Sequence, residues 1–433
     1  MQKGKLVKMS SLLLTLVIVL AACGGGNSNS NSSSGNNKAA SGSQEKKTVT
    51  VFQFKTEIVE GLHELARAFE EEHPNIKVDV QTVGGSGDYE AGLKTKFASG
   101  EGPDIFSNGG YSKLMLWQER IEDLSDQPWV EDIAPAAADP VTLDGKVYGL
   151  PLSMEGFGYI YNKDIFAEVG IDPLPKTYSE LEAAAKKIAD AGITPFANAY
   201  YEWWLVGSQG VSVAFNNQPD TNAFIDGLND GTTTIAGNEH FLNWAKLMQL
   251  TLDYGNKNPL TTDHNTAVTM FANGEAAMMQ QGNWTQNMID SINPDMNMGV
   301  LPMPISDDAA VTSKVTVGVP VNLVVNKDSK VKEEAKLFLN WLVTSDMGKE
   351  YITKNFKFIP TLSTIEASPE DMGSLASALV EYVDRGEAFP NISGKYPDGV
   401  TQEFGSVIQE FLAGKVDAQQ WTENMQAAWD KLK

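Results

Sequence analysis

Val49-Thr50-Val51-Phe52-Gln53-Phe54 is β-branched and aromatic, and it reads as a strand. Ile58, Leu62, Leu65, Ala66 and Phe69 then recur at helical spacing. Pro74 ends that helix, and Ile76-Lys77-Val78-Asp79-Val80 alternates as a second strand. A second helix runs through Leu93 and Phe97, and Gly100-Glu101-Gly102-Pro103 turns into a third strand at Asp104-Ile105-Phe106. This β-α-β-α-β order argues an open α/β sheet with mainly parallel strands. Ligands of such sheets gather at the carboxyl ends of the strands. Here those ends are residues 52–57, 82–89 and 106–111.

Outward from this unit, Gly145-Lys146-Val147-Tyr148-Gly149-Leu150-Pro151 and Gly158-Tyr159-Ile160-Tyr161-Asn162-Lys163-Asp164 open a second region. Thr177-Tyr178-Ser179-Glu180 has the capping-box spacing, with Leu181, Ala184, Ala185 and Ile188 as the apolar face behind it. Helical patterns recur at 239–253 and 265–274. Val317 to Val325 reads as one strand, and Lys330 to Leu342 as a helix. Two more helices close the chain near 400–412 and 419–432.

The amino terminus is of a different kind. A basic segment with Lys3, Lys5 and Lys8 precedes the apolar run Leu12–Leu20, then Ala21-Ala22-Cys23-Gly24. The run falls short of the ~20 residues that span a bilayer, and its flanks are those of an export signal. Leu20-Ala21-Ala22-Cys23 resembles the lipobox of bacterial lipoproteins, which implies cleavage after residue 22 and a diacylglyceryl group on Cys23. Residues 23–47 read as the lipidated cysteine and a disordered Gly/Ser/Asn tether, because they offer almost no apolar surface to offset chain entropy. Cys23 is the single cysteine, so the body has no disulfide. The net charge of -23 disfavours nucleic acid and anionic lipid surfaces as partners. An apolar content of 42% is ordinary for a globular chain, and the body is long enough for two domains.

Signatures of catalysis are missing. His63, His73, His240 and His264 have no zinc spacing. There is no phosphate-binding glycine loop and no Gly-x-Ser-x-Gly elbow. No cofactor and no metal is implied. An exported α/β body of this kind points to binding rather than to a reaction.

The chain resembles the extracellular solute-binding proteins of ABC importers, in particular the carbohydrate-binding group that includes maltose-binding protein. The resemblance rests on motifs in order: Phe69 to Val78, Ser99 to Ile105, Gly145 to Pro151, Tyr161-Asn162-Lys163-Asp164, Phe271 to Met278, Gln281-Gly282-Asn283-Trp284 and Phe389-Pro390-Asn391-Ile392. It implies an α/β, two-lobed, periplasmic-binding-protein-like fold with a ligand cleft between the lobes. The N-terminal lobe would be 48–153 with 303–358, and the C-terminal lobe 154–302 with 359–433. Crossings would fall near Pro151–Met154, Leu301–Pro304 and Phe358–Thr361. Closure on ligand would be hinge bending at the crossings.

A pyranose has an apolar C–H face for aromatic rings and a hydroxyl rim for carboxylates and amides. Glu155, Tyr201 and Trp284 match sugar-contacting positions of the family, and Gly282 would let that turn approach ligand. Trp203 and Trp204 complete the densest aromatic cluster, and the residues alone leave them between cleft and core. Lys55 and Glu57 stand at the first strand end, and Asn108 and Gly110 follow the third strand, where this chain lacks the aromatic and charged pair of maltose-binding protein. Tyr396 and Asp398 stand near a stacking tryptophan of the family that is absent here.

The implied partners are a carbohydrate, two transmembrane permease subunits with a cytoplasmic ATPase behind them, and the membrane through Cys23. The protein would be a monomer on the extracellular face of the cytoplasmic membrane. A secreted glycosidase-like enzyme and a surface adhesion lipoprotein are the alternatives. Neither accounts for the ordered motifs, and an adhesin would more often carry repeats.

Overall fold

The computed structural model describes residues 46–84 and 87–433. The expected export signal, the expected lipidation site Cys23 and the expected tether up to residue 45 lie outside the described residues. The body begins one residue earlier than its composition suggests, since Lys47 already pairs with Ile76.

Along the chain the strands are β1 Lys47–Gln53, β2 Ile76–Thr82, β3 Ile105–Asn108, β4 Thr142–Leu143, β5 Lys146–Val147 and β6 Gly149–Pro151. They continue as β7 Glu155–Asn162, β8 Thr194–Ala197, β9 Ala276–Gly282, β10 Met298–Leu301, β11 Val315–Gly318, β12 Asn322–Val325 and β13 Ala388–Pro390. The first sheet has the order β2-β1-β3-β12-β6. Its β1, β2 and β3 are parallel, as the opening β-α-β-α-β pattern requires, and β12 runs antiparallel to β3 and β6. The second has the order β13-β11-β7-β9-β8, with β10 also on β7. β4 and β5 form a small hairpin.

Each sheet is the centre of one lobe. Strand periodicity sends Val49 and Val51 of β1 into a core with Leu65 and Phe69 of helix α1 (Val59–Glu72) and Phe338 and Leu342 of the helix Lys332–Thr344. Phe52 points the other way, onto Tyr89 and Leu93 of α2 (Tyr89–Ala98) and Trp117 of α3 (Ser112–Trp117). In the second lobe β7 is buried on both faces: Tyr159 and Tyr161 enter one core and Ile160 the other. The predicted capping box forms, with Thr177 and Glu180 bonding each other's backbone N–H at the start of Tyr178–Asp190.

Two expectations need correction. The apolar run from Val317 to Val325 is two strands: β11 pairs with β7 in the second sheet and β12 with β3 and β6 in the first. Met303 and Ile305 also pack in the second lobe's core. Residues 303–318 therefore belong with the second lobe, and the chain crosses at Val319–Val321 rather than at Leu301–Pro304. Pro320 lies in this crossing and has no N–H to offer a ladder. Another crossing runs from Pro151, the end of β6, to Glu155, the start of β7. Near residue 359 the chain passes beside it: Met154 bridges to Ile359 and Thr361 Oγ1 donates to the Pro151 carbonyl.

Candidate functional site at the lobe junction

At the first crossing the two sheets bring together charges that are a hundred residues apart. Lys55 lies just past β1. Its turn is pinned by Gln53, which accepts from the Lys55 N–H at 2.5 Å and donates to the Lys55 carbonyl and to Thr82 Oγ1. Lys55 Nζ stands 2.5 Å from Glu57 and 2.7 Å from Glu155, the first residue of β7, and lies over the Phe358 ring. Ser153 Oγ donates to the same Glu155 oxygen. Burial by itself would depress the Lys55 ammonium, but the carboxylates of Glu155 and Glu57 outweigh it and the net shift is upward. The Lys55 ammonium is therefore held in its charged form, with two carboxyl side chains against one cation.

Asn108 and Gly110 are brought to the same strand ends, where they build the loop. Asn108 Oδ1 accepts from the Gly110 N–H and its Nδ2 donates to the Lys113 carbonyl. Gly110 has φ +73°, and a Cβ there would collide with the Pro140 carbonyl. Their hydrogen bonds and packing are therefore those of scaffold. The loop they shape reaches the second lobe: Ser112 Oγ lies 2.7 Å from the Gly394 carbonyl and 3.0 Å from that of Tyr396. Between them Tyr111 holds φ +48°, costly for a bulky residue, with Lys395 Nζ over its ring.

The aromatic cluster divides by depth. Tyr200 is fully buried and its hydroxyl bonds Thr251. Tyr201 is 49% exposed. With Trp203 it lines a groove of about 790 Å³ shared with Leu260, with Gln402, Glu403, Ser406, Gln409 and Glu410 of the helix Val400–Leu412, and with Lys415. That helix comes close because a Cβ is missing at two places: one on Gly207 would strike the Gly405 backbone and the Thr401 carbonyl, and one on Gly405 would strike Trp203. Trp204 is half-buried. Its Nε1 donates to Glu202, and its edge meets Trp284 and His264. Trp284 is 8% exposed and donates to Gln281 Oε1 at 3.0 Å. Gly282 is needed here for a reason other than approach to ligand: a Cβ would overlap the Trp284 ring itself.

Tyr396 is not a stacking platform. It is buried among Phe215, Phe404 and Trp429, its hydroxyl has no partner, and burial pushes its ionisation well above the ordinary range. Asp398 is likewise engaged away from Lys55 and Glu155. It lies 2.8 Å from Lys94 of α2 and closer still to Lys113 of α3.

Residues 55–349 match the family described as bacterial extracellular solute-binding protein. The chain belongs to this family. Among curated relatives of this solute-binding protein is the melibiose/raffinose/stachyose-binding protein MelE of Bacillus subtilis (strain 168), 24% identical and aligned over 90% of each chain. The multiple sugar-binding protein of Streptococcus mutans serotype c is 26% identical over 71% of this chain and 73% of its own. Among solved structures, RafE in complex with raffinose superposes with a TM-score of 0.76 at 22% identity, covering 89% of this chain and 99% of its own. A sugar transporter from Bacillus licheniformis in complex with stachyose gives a TM-score of 0.76 at 25% identity, covering 89% and 100%. The two-lobed fold of the solute-binding protein is that of these structures.

Residue-by-residue reading overlooked Gln281 and Asn283. Both are buried and each has an amide nitrogen without a partner, although Gln281 Oε1 holds Trp284 and Asn283 Oδ1 accepts from the Gly156 N–H. The motif Gln281-Gly282-Asn283-Trp284 contained the signal: two amides at a strand's end beside an aromatic ring.

Proposed function

We propose that this extracellular solute-binding protein captures a neutral oligosaccharide between its lobes and delivers it to an ABC importer. Its partners there would be two transmembrane permease subunits and, through them, a cytoplasmic ATPase. The observation that carries the reading is the groove on the second lobe, where Tyr201 and Trp203 stand with the amides of Gln402 and Gln409, the Ser406 hydroxyl and the charged Glu403, Glu410 and Lys415. Rings suit the C–H face of a pyranose, and amides and hydroxyls suit its rim. The sugar-binding names of MelE and of the Streptococcus mutans relative support it along most of the chain. Glu155, Glu57, Gln281, Asn283 and Trp284 at the junction are the further contacts we assign.

The charge of the junction favours a neutral ligand. Lys55 is the cation there, and two carboxylates already saturate it. An acidic sugar would face excess negative charge. Titration calorimetry with raffinose, stachyose, maltotriose and a galacturonic acid trimer tests both points. We expect binding of at least one neutral sugar and none of the acidic trimer. A ligand at about 100 times its Kd adds about 2.7 kcal/mol of stability, so a thermal shift gives a second readout. Absence of binding by every neutral oligosaccharide, or preference for the acidic one, overturns the reading.

We further propose that Cys23 carries the lipid that tethers the monomeric body to the outer face of the membrane. Among the described residues no helix is long and apolar enough to span one. Cys23→Ala should release the protein from washed membranes with its fold intact. Retention in the pellet would count against the anchor.

A further inference from the structure

We infer that Asp398 is an ionic clasp that draws the two lobes together at their rim, and that closure is therefore tuned by ionic strength whatever the ligand. The carboxylate stands between β13 and the helix Val400–Leu412, both of the second lobe. It bonds two lysines of the first lobe at once, Lys94 through one oxygen and Lys113 through the other. Two neighbours join the same elements: Gln402 Nε2 lies 3.2 Å from Asp88 Oδ2, and Ser112 Oγ bonds the Gly394 and Tyr396 carbonyls. None of these residues stands in a crossing. Hinge bending leaves the crossings nearly fixed and separates everything else, so these contacts break when the lobes part.

The surrounding charges sharpen the effect. Glu90, in α2's first turn, lies 3.3 Å from Lys113 on the same lobe, and Asp88 caps the N-terminus of α2. With the lobes apart, Lys113 keeps Glu90 while Asp398 loses both of its partners. Closing therefore adds charge-assisted bonds to Asp398 that the open form lacks. Asp398 is one-third exposed and Lys94 half-exposed, so salt reaches the pairs. Since apparent affinity scales with the fraction of molecules in the binding-competent form, a weakened clasp lowers affinity without touching the ligand.

The test uses the full chain carrying Cys23→Ala, followed by small-angle scattering with no sugar present. The radius of gyration is measured from low salt to about 1 M, where the screening length shrinks to about 3 Å. We expect the protein to expand as salt rises. Asp398→Asn should be expanded from the start and indifferent to salt. Lys94→Gln with Lys113→Gln should behave like Asp398→Asn, and it carries the test if Asp398→Asn melts early. If the parent protein does not respond to salt, or if both variants stay as compact as it is, the clasp is refuted. This arm needs no ligand, so its failure is distinct from failure of the sugar reading. Where a sugar is found, Asp398→Asn should weaken binding about three- to fivefold at low salt and leave little difference at high salt. An equal affinity at low salt also refutes the clasp.

Discussion

At the crossings Lys55 is 5% exposed and sits between Glu57 and Glu155; at the rim Asp398 is 33% exposed and sits between Lys94 and Lys113. Both arrangements join the lobes through one charge held by two of the opposite sign. Solvent makes them different devices. The buried set has lost its hydration, so each member depends on the others, and removing one leaves uncompensated charge. The rim set keeps part of its hydration and is open to counterions, so its contribution is small and adjustable. The first ties the lobes together beside the crossing from Pro151 to Glu155. The second biases how often they meet.

The largest effect should come from breaking the buried set. Lys55→Met leaves two carboxylates facing each other and should lower unfolding free energy by about 3–5 kcal/mol, read from urea denaturation at pH 7. A loss near that of an exposed pair would show that the crossings are as wet as the rim, and the contrast would fall. The aromatics extend it. Trp284→Ala should destabilise folding by about 3–5 kcal/mol and weaken sugar binding as well. Tyr201→Ala should change stability by less than about 0.5 kcal/mol yet weaken sugar binding by about 2 kcal/mol. Calorimetry and urea unfolding of both variants separate the roles, and a folding defect in Tyr201→Ala would move it out of the groove.

The central groups of the two sets, Asp398 and Lys55, should also titrate at opposite ends of the pH scale. For Asp398, burial pushes the carboxyl up, but Lys113 and Lys94 outweigh it and the net shift is downward from 3.8. Its contribution is present above that value and is lost as pH falls through the lowered one. Lys55 is shifted upward from 10.5, so its contribution is complete below that value and is lost only as pH rises through the raised one. The compactness difference between the parent and Asp398→Asn should therefore hold from neutral pH down past the ordinary carboxylate range. Its disappearance near neutrality would mean that another group governs the rim. The smallest effect is expected at Tyr396. Tyr396→Phe removes a buried hydroxyl without a partner, so it should be neutral or stabilising by up to about 1 kcal/mol and leave sugar affinity unchanged. A drop in affinity would return Tyr396 to the site.

Local rules carried much of the fold. The alternation of Val49, Val51 and Phe52, the helical spacing from Leu62 to Phe69 and the Thr177–Glu180 cap each depend on neighbours within a few residues, and each appears as read. The placement of the candidate junction residues was partly legible for the same reason: Lys55 and Glu57 follow a strand end, and Glu155 opens the next sheet after a crossing. Val317 to Val325 misled because an apolar run fits any buried strand; which sheet each half joins depends on partners far away in the chain. Tyr396 and Asp398 misled through proximity in sequence. Two residues apart, one turns into the aromatic core and the other toward the opposite lobe.

By itself the sequence determined the α/β character, the order of elements and the set of polar and aromatic residues available for a ligand, because periodicity and composition act locally. Only the tertiary structure decided that Lys55 is saturated by two carboxylates, that Gly282 exists to seat Trp284, and that Asp398 grips the other lobe. Each of these follows from which side chains the two sheets bring within a few ångströms of one another, and with that proximity comes the burial that sets the strength of every charge.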